Sequence, residues 1–477
     1  MDIDILGQIK SAENLRSNLA EKFGLKYNPF PRAGIANLND SDATTLALQP
    51  ALANTAMEIV NYMKDALSHA GLNDNDKYLS LVIKGEYGSG KTQTLMFIKA
   101  LFDSLKTTAF KPYVVYIDNP GTKLSELIGD VISQVGIENF RRYLWSIFLE
   151  FMDTKDNEDP EGRSKKEILM KELDSLKVNV PDLFKQTINN EDVEFSWDQL
   201  TVSYKYLINK ISYSARLSDR KQIEVLFKKY LTDCYAFKFK ISSVAEYFYD
   251  IVTDNINVSK SWDNIITGNI KSLEKREVYL LKAVVAITKK YLSATDFIIL
   301  VDEFEDLAGG RIKDADVDSY LRNLRSLIDR EKNWCSVFAM NTAAFERIQK
   351  ISAPLASRIG ERSITLMPLN PNSAKNMIMN YLSLARVESE KGHERSIKPF
   401  TDEVINLLLT VKETTLQGSP RFIVQSCYTL LQRASEELTK GQTITVDFAK
   451  EVFKGKINFR HEDNYRQMFQ DRFLLGY

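Results

Sequence analysis

Residues 79–102 read Leu79-Ser80-Leu81-Val82-Ile83-Lys84-Gly85-Glu86-Tyr87-Gly88-Ser89-Gly90-Lys91-Thr92-Gln93-Thr94-Leu95-Met96-Phe97-Ile98-Lys99-Ala100-Leu101-Phe102. The octapeptide Gly85–Thr92 fits G-x-x-x-x-G-K-[ST], the pattern of a phosphate-binding loop. The apolar run before it reads as a buried strand, and the stretch after it has apolar residues at helical spacing. Strand, glycine loop and helix are the order the chemistry needs. Glycines let backbone N–H groups curl around an anion without Cβ clashes. The helix N-terminus adds unpaired donors and partial positive charge. The anion-facing set is therefore Gly85, Gly88, Ser89, Gly90, Lys91, Thr92 and Gln93. Lys91 is expected at the β- and γ-phosphates of ATP, and the Thr92 hydroxyl on Mg²⁺.

A second strand of this kind is Phe297-Ile298-Ile299-Leu300-Val301, which ends in Asp302-Glu303. A buried parallel strand delivers such carboxylates at its C-terminal edge, where α/β sheets place ligands. Asp302 is expected to hold Mg²⁺ and Glu303 to polarise the attacking water. Glu305 and Asp306 read as helix-start or surface acids. Asn341 ends the next apolar strand, either to hold the lytic water or to form a turn. Arg358 precedes a last short strand, either as an arginine finger or as a surface arginine, with Arg362 a second candidate. Gly418-Ser419-Pro420-Arg421 opens an apolar-striped helix. Proline is favourable in a first turn, and Arg421 is expected to project toward the phosphates rather than into solvent.

Outward from these motifs, the 477 residues divide into a first α/β part at 75–138 and a second at 276–370. An aromatic and charged helical insertion at 139–275 separates them. A helical lid follows at 371–455 and a tail at 456–477. Residues 1–74 form a helical extension and connector, with Ala53, Met57, Val60, Met63 and Leu67 on one helix face. The chain is 44% hydrophobic and 27% charged, with formal net charge −1. That balance excludes a globally basic nucleic-acid binder, so any such surface must be local. No apolar stretch approaches the ~20 residues of a membrane span. The acidic start Met1-Asp2-Ile3-Asp4 argues against a signal peptide. Three scattered cysteines and three scattered histidines exclude a disulfide framework and a zinc site, and cytoplasmic localisation is expected.

Lys91 and Thr92, Asp302 and Glu303, Asn341, Arg358 and Arg421, in that order, resemble the Walker A, Walker B, sensor 1, arginine finger and sensor 2 of the AAA+ ATPases. The likeness covers about 75–138 and 277–450. Phe23-Gly24-Leu25 with Asn28-Pro29-Phe30 is similar to the start of ExeA-type and transposon target-selection ATPases. Gly418-Ser419-Pro420-Arg421 is similar to a motif of origin-recognition ATPases, and the P-loop to those of ATPases in bacterial phage-defence islands. The resemblance implies an α/β core with a parallel 5-1-4-3-2 sheet and a helical lid. It also implies ATP and Mg²⁺ as cofactors, a homo-oligomer with nucleotide between subunits, and relatives that mostly act on or beside DNA.

The expected function is an ATP-hydrolysing switch or motor in a DNA-related system such as phage defence, transposition or replication. It would recruit a partner nuclease, transposase or effector, with DNA itself a candidate partner and no membrane. The alternative is a signalling or scaffold ATPase that binds only protein. An unfoldase lacks its aromatic pore motif after the second strand. A small-molecule enzyme lacks a second catalytic constellation. The insertion is expected to carry partner recognition and to be replaceable, over about 145–270, without loss of ATP binding.

Overall fold

The computed structural model describes residues 17–35, 41–69, 79–107, 110–156, 159–175, 185–188, 191–194, 217–239, 242–252, 273–308, 312–330, 334–387, 396–413, 416–457 and 459. Residues 1–16 of the expected helical extension, and nearly all of the 456–477 tail, therefore lie outside the described residues.

Five strands form one parallel sheet: β1 Leu79–Lys84, β2 Pro112–Ile117, β3 Asp296–Val301, β4 Trp334–Met340 and β5 Ser363–Thr365. Their spatial order is β2-β3-β4-β1-β5, which read from the other edge is 5-1-4-3-2, as the resemblance implies. The strands β1 to β4 are nearly continuous in apolar residues because helices cover both faces of a parallel sheet, whereas the short edge strand β5 buries only Ile364. Side chains alternate between two cores. Val82, Val115, Ile117, Phe297, Ile299, Val301 and Phe338 face one core. Leu81, Ile83, Ile298, Leu300, Val337, Ala339 and Ile364 face the other.

The second face is covered by the helices Ala53–His69 and Lys91–Ser104. In the first of these the buried stripe is Ile59, Tyr62, Met63 and Ala66. Met57 and Val60, expected on the buried face, are 58% and 40% exposed. Two apolar stripes run along this helix, and packing chose the one carrying the larger side chain, Tyr62, whose hydroxyl also donates to the Ser336 carbonyl.

The first face is covered by the helices Leu124–Val135, Ile137–Met152, Leu273–Tyr291, Asp314–Arg330, Thr342–Ile351 and Ala353–Ile359. The insertion joins the same core. Its helices Leu217–Phe239 and Ser242–Val252 pack on Ile137–Met152, with Phe248 ringed by Phe140, Tyr235, Phe239 and Tyr247. The expected aromatic stripe holds as core: Phe140, Leu144 and Phe148 are buried. The expected boundaries at 138/139 and 275/276 fall inside the helices Ile137–Met152 and Leu273–Tyr291, so these helices run from sheet to insertion unbroken. The insertion also holds an antiparallel hairpin, Lys185–Ile188 with Glu191–Glu194, in a region expected to be helical.

The lid comprises the helices Pro371–Ala385, Asp402–Leu409, Pro420–Glu437 and Val446–Val452 around a third core. Asn370, Thr401, Ser419 and Thr445 cap them, each accepting from a backbone N–H of the first turn. The connector belongs to this core, since Leu19, Phe23, Leu25 and Phe30 are buried in it. Lys26 N–H donates to the Ala385 carbonyl at 2.7 Å, and Asn28 Nδ2 to the Tyr428 carbonyl at 3.1 Å.

One core spanning sheet and insertion predicts one cooperative unit. Phe248→Ala should cost about 3–5 kcal/mol, the usual cost of a buried phenylalanine. Chemical unfolding followed by near-UV circular dichroism and by nucleotide protection should give coincident midpoints. Two separated transitions would show an insertion with a core of its own.

Candidate functional site

The sheet register assembles the site. Lys84 of β1 lies opposite Met340 of β4, so Gly85 and Asn341 follow side by side. Val301 of β3 lies between Ile117 and Phe338. Beyond Val301 the chain leaves the regular ladder: Asp302 N–H donates to the Ile117 carbonyl at 2.8 Å and Phe304 N–H to the Ala339 carbonyl at 3.0 Å. Glu303, between them, takes φ +47°, a left-handed conformation that costs a non-glycine residue on the order of 1 kcal/mol. It stays exposed while its neighbours on either side are buried.

The loop before the helix Lys91–Ser104 makes its turn with Gly88 at φ +77° and Gly90 at φ +97°. Lys91, only 8% exposed, donates to the Gly85 carbonyl at 3.0 Å. It also pairs with Glu305 Oε1 at 3.1 Å. Glu305 starts the helix Glu305–Ala308, the helix-start alternative of the sequence reading, and is in addition the ion-pair partner of Lys91. Its signal was the spacing of two residues after Glu303, which a helix start aims back at the loop.

Asp302 is the most buried acid of the site, at 2% exposure. Oδ2 accepts from the Thr92 hydroxyl at 2.6 Å and from the Tyr116 hydroxyl at 3.0 Å, and Oδ1 accepts from Glu303 N–H at 2.9 Å. Tyr116 had no sequence signal beyond its place in an apolar strand. Burial, with Asp302 beside it, pushes its phenol well above the usual range, so it stays a donor. Partial burial raises the Glu303 carboxyl, helped by the charges of Asp302, Asp306, Glu305 and Asp118. A raised carboxyl is a stronger proton acceptor.

The lid closes on the loop directly. Arg421 N–H and the Ser419 hydroxyl both donate to the Gly88 carbonyl, at 3.2 and 3.3 Å. A Cβ on Gly88 would sit 3.0 Å from Ser419 Oγ and 3.1 Å from Arg421 Cβ, so glycine is needed for conformation and for approach. The Arg421 guanidinium lies 4.7 Å over the ring of Tyr87, which is 78% exposed.

Between loop, β3 and lid is a cavity of about 300 Å³. Gly88, Ser89, Gly90, Lys91, Thr92, Gln93, Asp302, Glu303 and Arg421 line one end. Connector residues Ile35, Leu48, Pro50, Ala51 and Leu52 and lid residues Met377 and Tyr381 make the apolar other end. None of these last was marked by the sequence, because they bring shape and no motif. Asn341 and Arg358 are not in the lining. Asn341 Oδ1 caps the helix Thr342–Ile351, accepting from Ala344 N–H at 2.7 Å, a role that neither sequence alternative named. The cap does not use its amide nitrogen. Arg358 is exposed in the last turn of the helix Ala353–Ile359, and its carbonyl accepts from the Ser80 hydroxyl. Arg362 pairs with Asp65.

The donors fit a nucleoside triphosphate. Ser89 Oγ is buried with no hydrogen-bond partner among the described residues, and Lys91 and Arg421 supply cationic charge. Thr92 and Asp302 offer the hard oxygens that Mg²⁺ takes alongside waters and phosphates. No group of three acidic, His or Cys side chains suited to a metal exists among the described residues, so no all-protein metal cage competes with that arrangement. Among the described residues no helix is long and apolar enough to cross a membrane.

No family model and no curated protein matches the chain. Similar solved structures include the ORC2 protein of Aeropyrum pernix in ADPNP–ADP complexes, at 12% identity and TM-score 0.38, covering 86% of this chain and 68% of that one. Its ADP form, also at 12% identity and TM-score 0.38, covers 90% and 81%. Cdc6p of Pyrobaculum aerophilum, at 10% identity and TM-score 0.37, covers 87% and 71%. At such similarity the geometry of the cavity, not the likeness, has to carry the functional reading.

The Lys91–Glu305 pair holds the loop's cation where an incoming phosphate must take it. Glu305→Gln should raise nucleotide affinity ~2–5-fold, the worth of a half-buried ion pair. Isothermal titration would show this, and weaker binding would mean that Glu305 builds the loop rather than competing for it.

Proposed function

We propose that this chain binds and hydrolyses Mg²⁺-ATP and couples the nucleotide state to its lid. One observation carries the reading: the phosphate loop, Asp302-Glu303 and lid Arg421 meet on a single cavity, with the lid bonded to the loop carbonyl of Gly88. In this reading the loop N–H groups and Lys91 bind the β- and γ-phosphates. Thr92 would hold the metal directly and Asp302 through water, and the metal would supply charge neutralisation at the transferring phosphoryl group. Glu303, raised in basicity and held out of the strand, accepts the proton of the attacking water. The amide nitrogen of Asn341 orients that water. Arg421 contacts phosphate from the lid, so gain or loss of the terminal phosphate changes lid contacts.

The cations lining the cavity are Lys91 and Arg421, and Arg358 sits outside it on an exposed helix. We infer that Arg358 acts on the cavity of a neighbouring copy in a homo-oligomer. The role is that of a switch in a DNA-related system that recruits a protein partner. Stimulation of turnover by duplex or single-stranded DNA tests that setting against the protein-only alternative.

Glu303→Gln should retain ATP affinity and lower turnover ~10²–10⁴-fold, the range for losing a general base. Wild-type turnover would remove Glu303 from the mechanism.

Arg358→Ala should bind ATP normally yet lose ~10³–10⁵ in rate, the worth of an arginine finger. Mixed with Glu303→Gln, it should regain part of the activity, because some interfaces then pair an intact base with an intact arginine. No recovery at any mixing ratio would exclude sites shared between copies.

A further inference from the structure

Tyr116 is the one aromatic hydroxyl shown bonded to the buried carboxylate of the site. It lies on β2, at the edge of the sheet, and its ring packs on the face shared with the helix Lys91–Ser104. Its hydroxyl reaches Oδ2 of Asp302 at 3.0 Å, the oxygen that also accepts from Thr92 at 2.6 Å. An edge strand leaves peptide groups facing outward without a strand partner. At Tyr116 the Gln134 side-chain amide fills that gap: Tyr116 N–H donates to Gln134 Oε1 at 2.9 Å, and Gln134 Nε2 donates to the Tyr116 carbonyl. The backbone that aims the phenol is thereby held from the far side of the strand.

We propose that Tyr116 is a positioning residue for the metal site, its phenol holding the Asp302 carboxylate in place beside Thr92. This rests on the nucleotide site proposed above. The Thr92 oxygen is available to a cation only while its proton stays on Asp302. That requires a carboxylate that neither rotates nor closes onto the ion itself. Two donors on Oδ2, one from the helix Lys91–Ser104 and one from β2, with Glu303 N–H on Oδ1, fix both oxygens. Of the three, the phenol alone comes from outside the loop and β3, so it sets the carboxylate's position independently of the bound phosphate. Partners that orient a metal ligand typically tune metal affinity ~10–100-fold.

The test is Tyr116→Phe in the full chain, which keeps the ring and removes the donor. Affinity for a fluorescent ATP analogue is measured in EDTA and across a Mg²⁺ titration. The expected result is unchanged affinity in EDTA and a ~10-fold higher Mg²⁺ concentration for half of the metal-dependent gain. In an Asp302→Asn background the same substitution should have no further effect, since coupled groups are non-additive. A half-saturating Mg²⁺ concentration within about twofold of wild type would overturn the assignment, as would an equal loss of affinity in EDTA or additivity with Asp302→Asn. Wild-type protein that binds no nucleotide in either condition would instead overturn the nucleotide site, and this assignment with it.

Discussion

The Asp302 carboxylate, buried at the end of β3, is the point that holds the site together. An ionised acid out of water is costly unless its oxygens are paired. Here three donors come from three separate places: Thr92 from the first turn of the helix Lys91–Ser104, Tyr116 from β2, and the backbone of Glu303. Hydrogen bonds to a charged group contribute about 1.5–3 kcal/mol each. The acid therefore ties the edge strand and the loop to the central strand, and any of the three elements that shifts leaves the charge under-satisfied. The left-handed turn at Glu303 persists within that framework, and it leaves the second carboxylate exposed in the cavity that the buried Asp302 also lines.

A second junction joins sheet and lid. The Gly88 carbonyl, at the tip of the loop, accepts from two groups at the start of the lid helix Pro420–Glu437. Ser419 does double duty there, capping that helix and touching the loop. The connector is bonded to the lid by Asn28 and, through the Ala33 carbonyl, by Gln425, and it walls the apolar end of the cavity. The cavity thus lies between bodies built on different cores. This is the geometry in which a small change of contacts at the loop tip moves a whole helix bundle.

The insertion shares this dependence. Its aromatic helices bury their faces against helices that also cover the sheet. The helix Leu124–Val135, whose Gln134 holds Tyr116, runs through Gly136 into the first insertion helix. A surface carried by the described insertion helices is therefore bound by packing to the strand that carries Tyr116.

By itself the sequence determined the phosphate loop, the Asp302-Glu303 strand end and the proline that starts the Arg421 helix, and through its resemblance the strand order. The first three are local chemistry: a glycine pattern, an apolar run ending in acids, a proline in a first turn. Only the tertiary structure decided which stripe of the helix Ala53–His69 is buried, because two apolar stripes compete there and shape complementarity settles the choice. It also made the helix-start acid Glu305 the partner of Lys91, and set Asn341 as a cap. Tyr116, Leu48 and Tyr381 entered the site by position alone, the first through a hydroxyl brought to Asp302 by strand register and the others as walls. Motifs are legible when function needs a residue type at fixed spacing along the chain. Where it needs only a shape or a donor at fixed distance in space, the residues lie far apart in sequence, and folding alone brings them together.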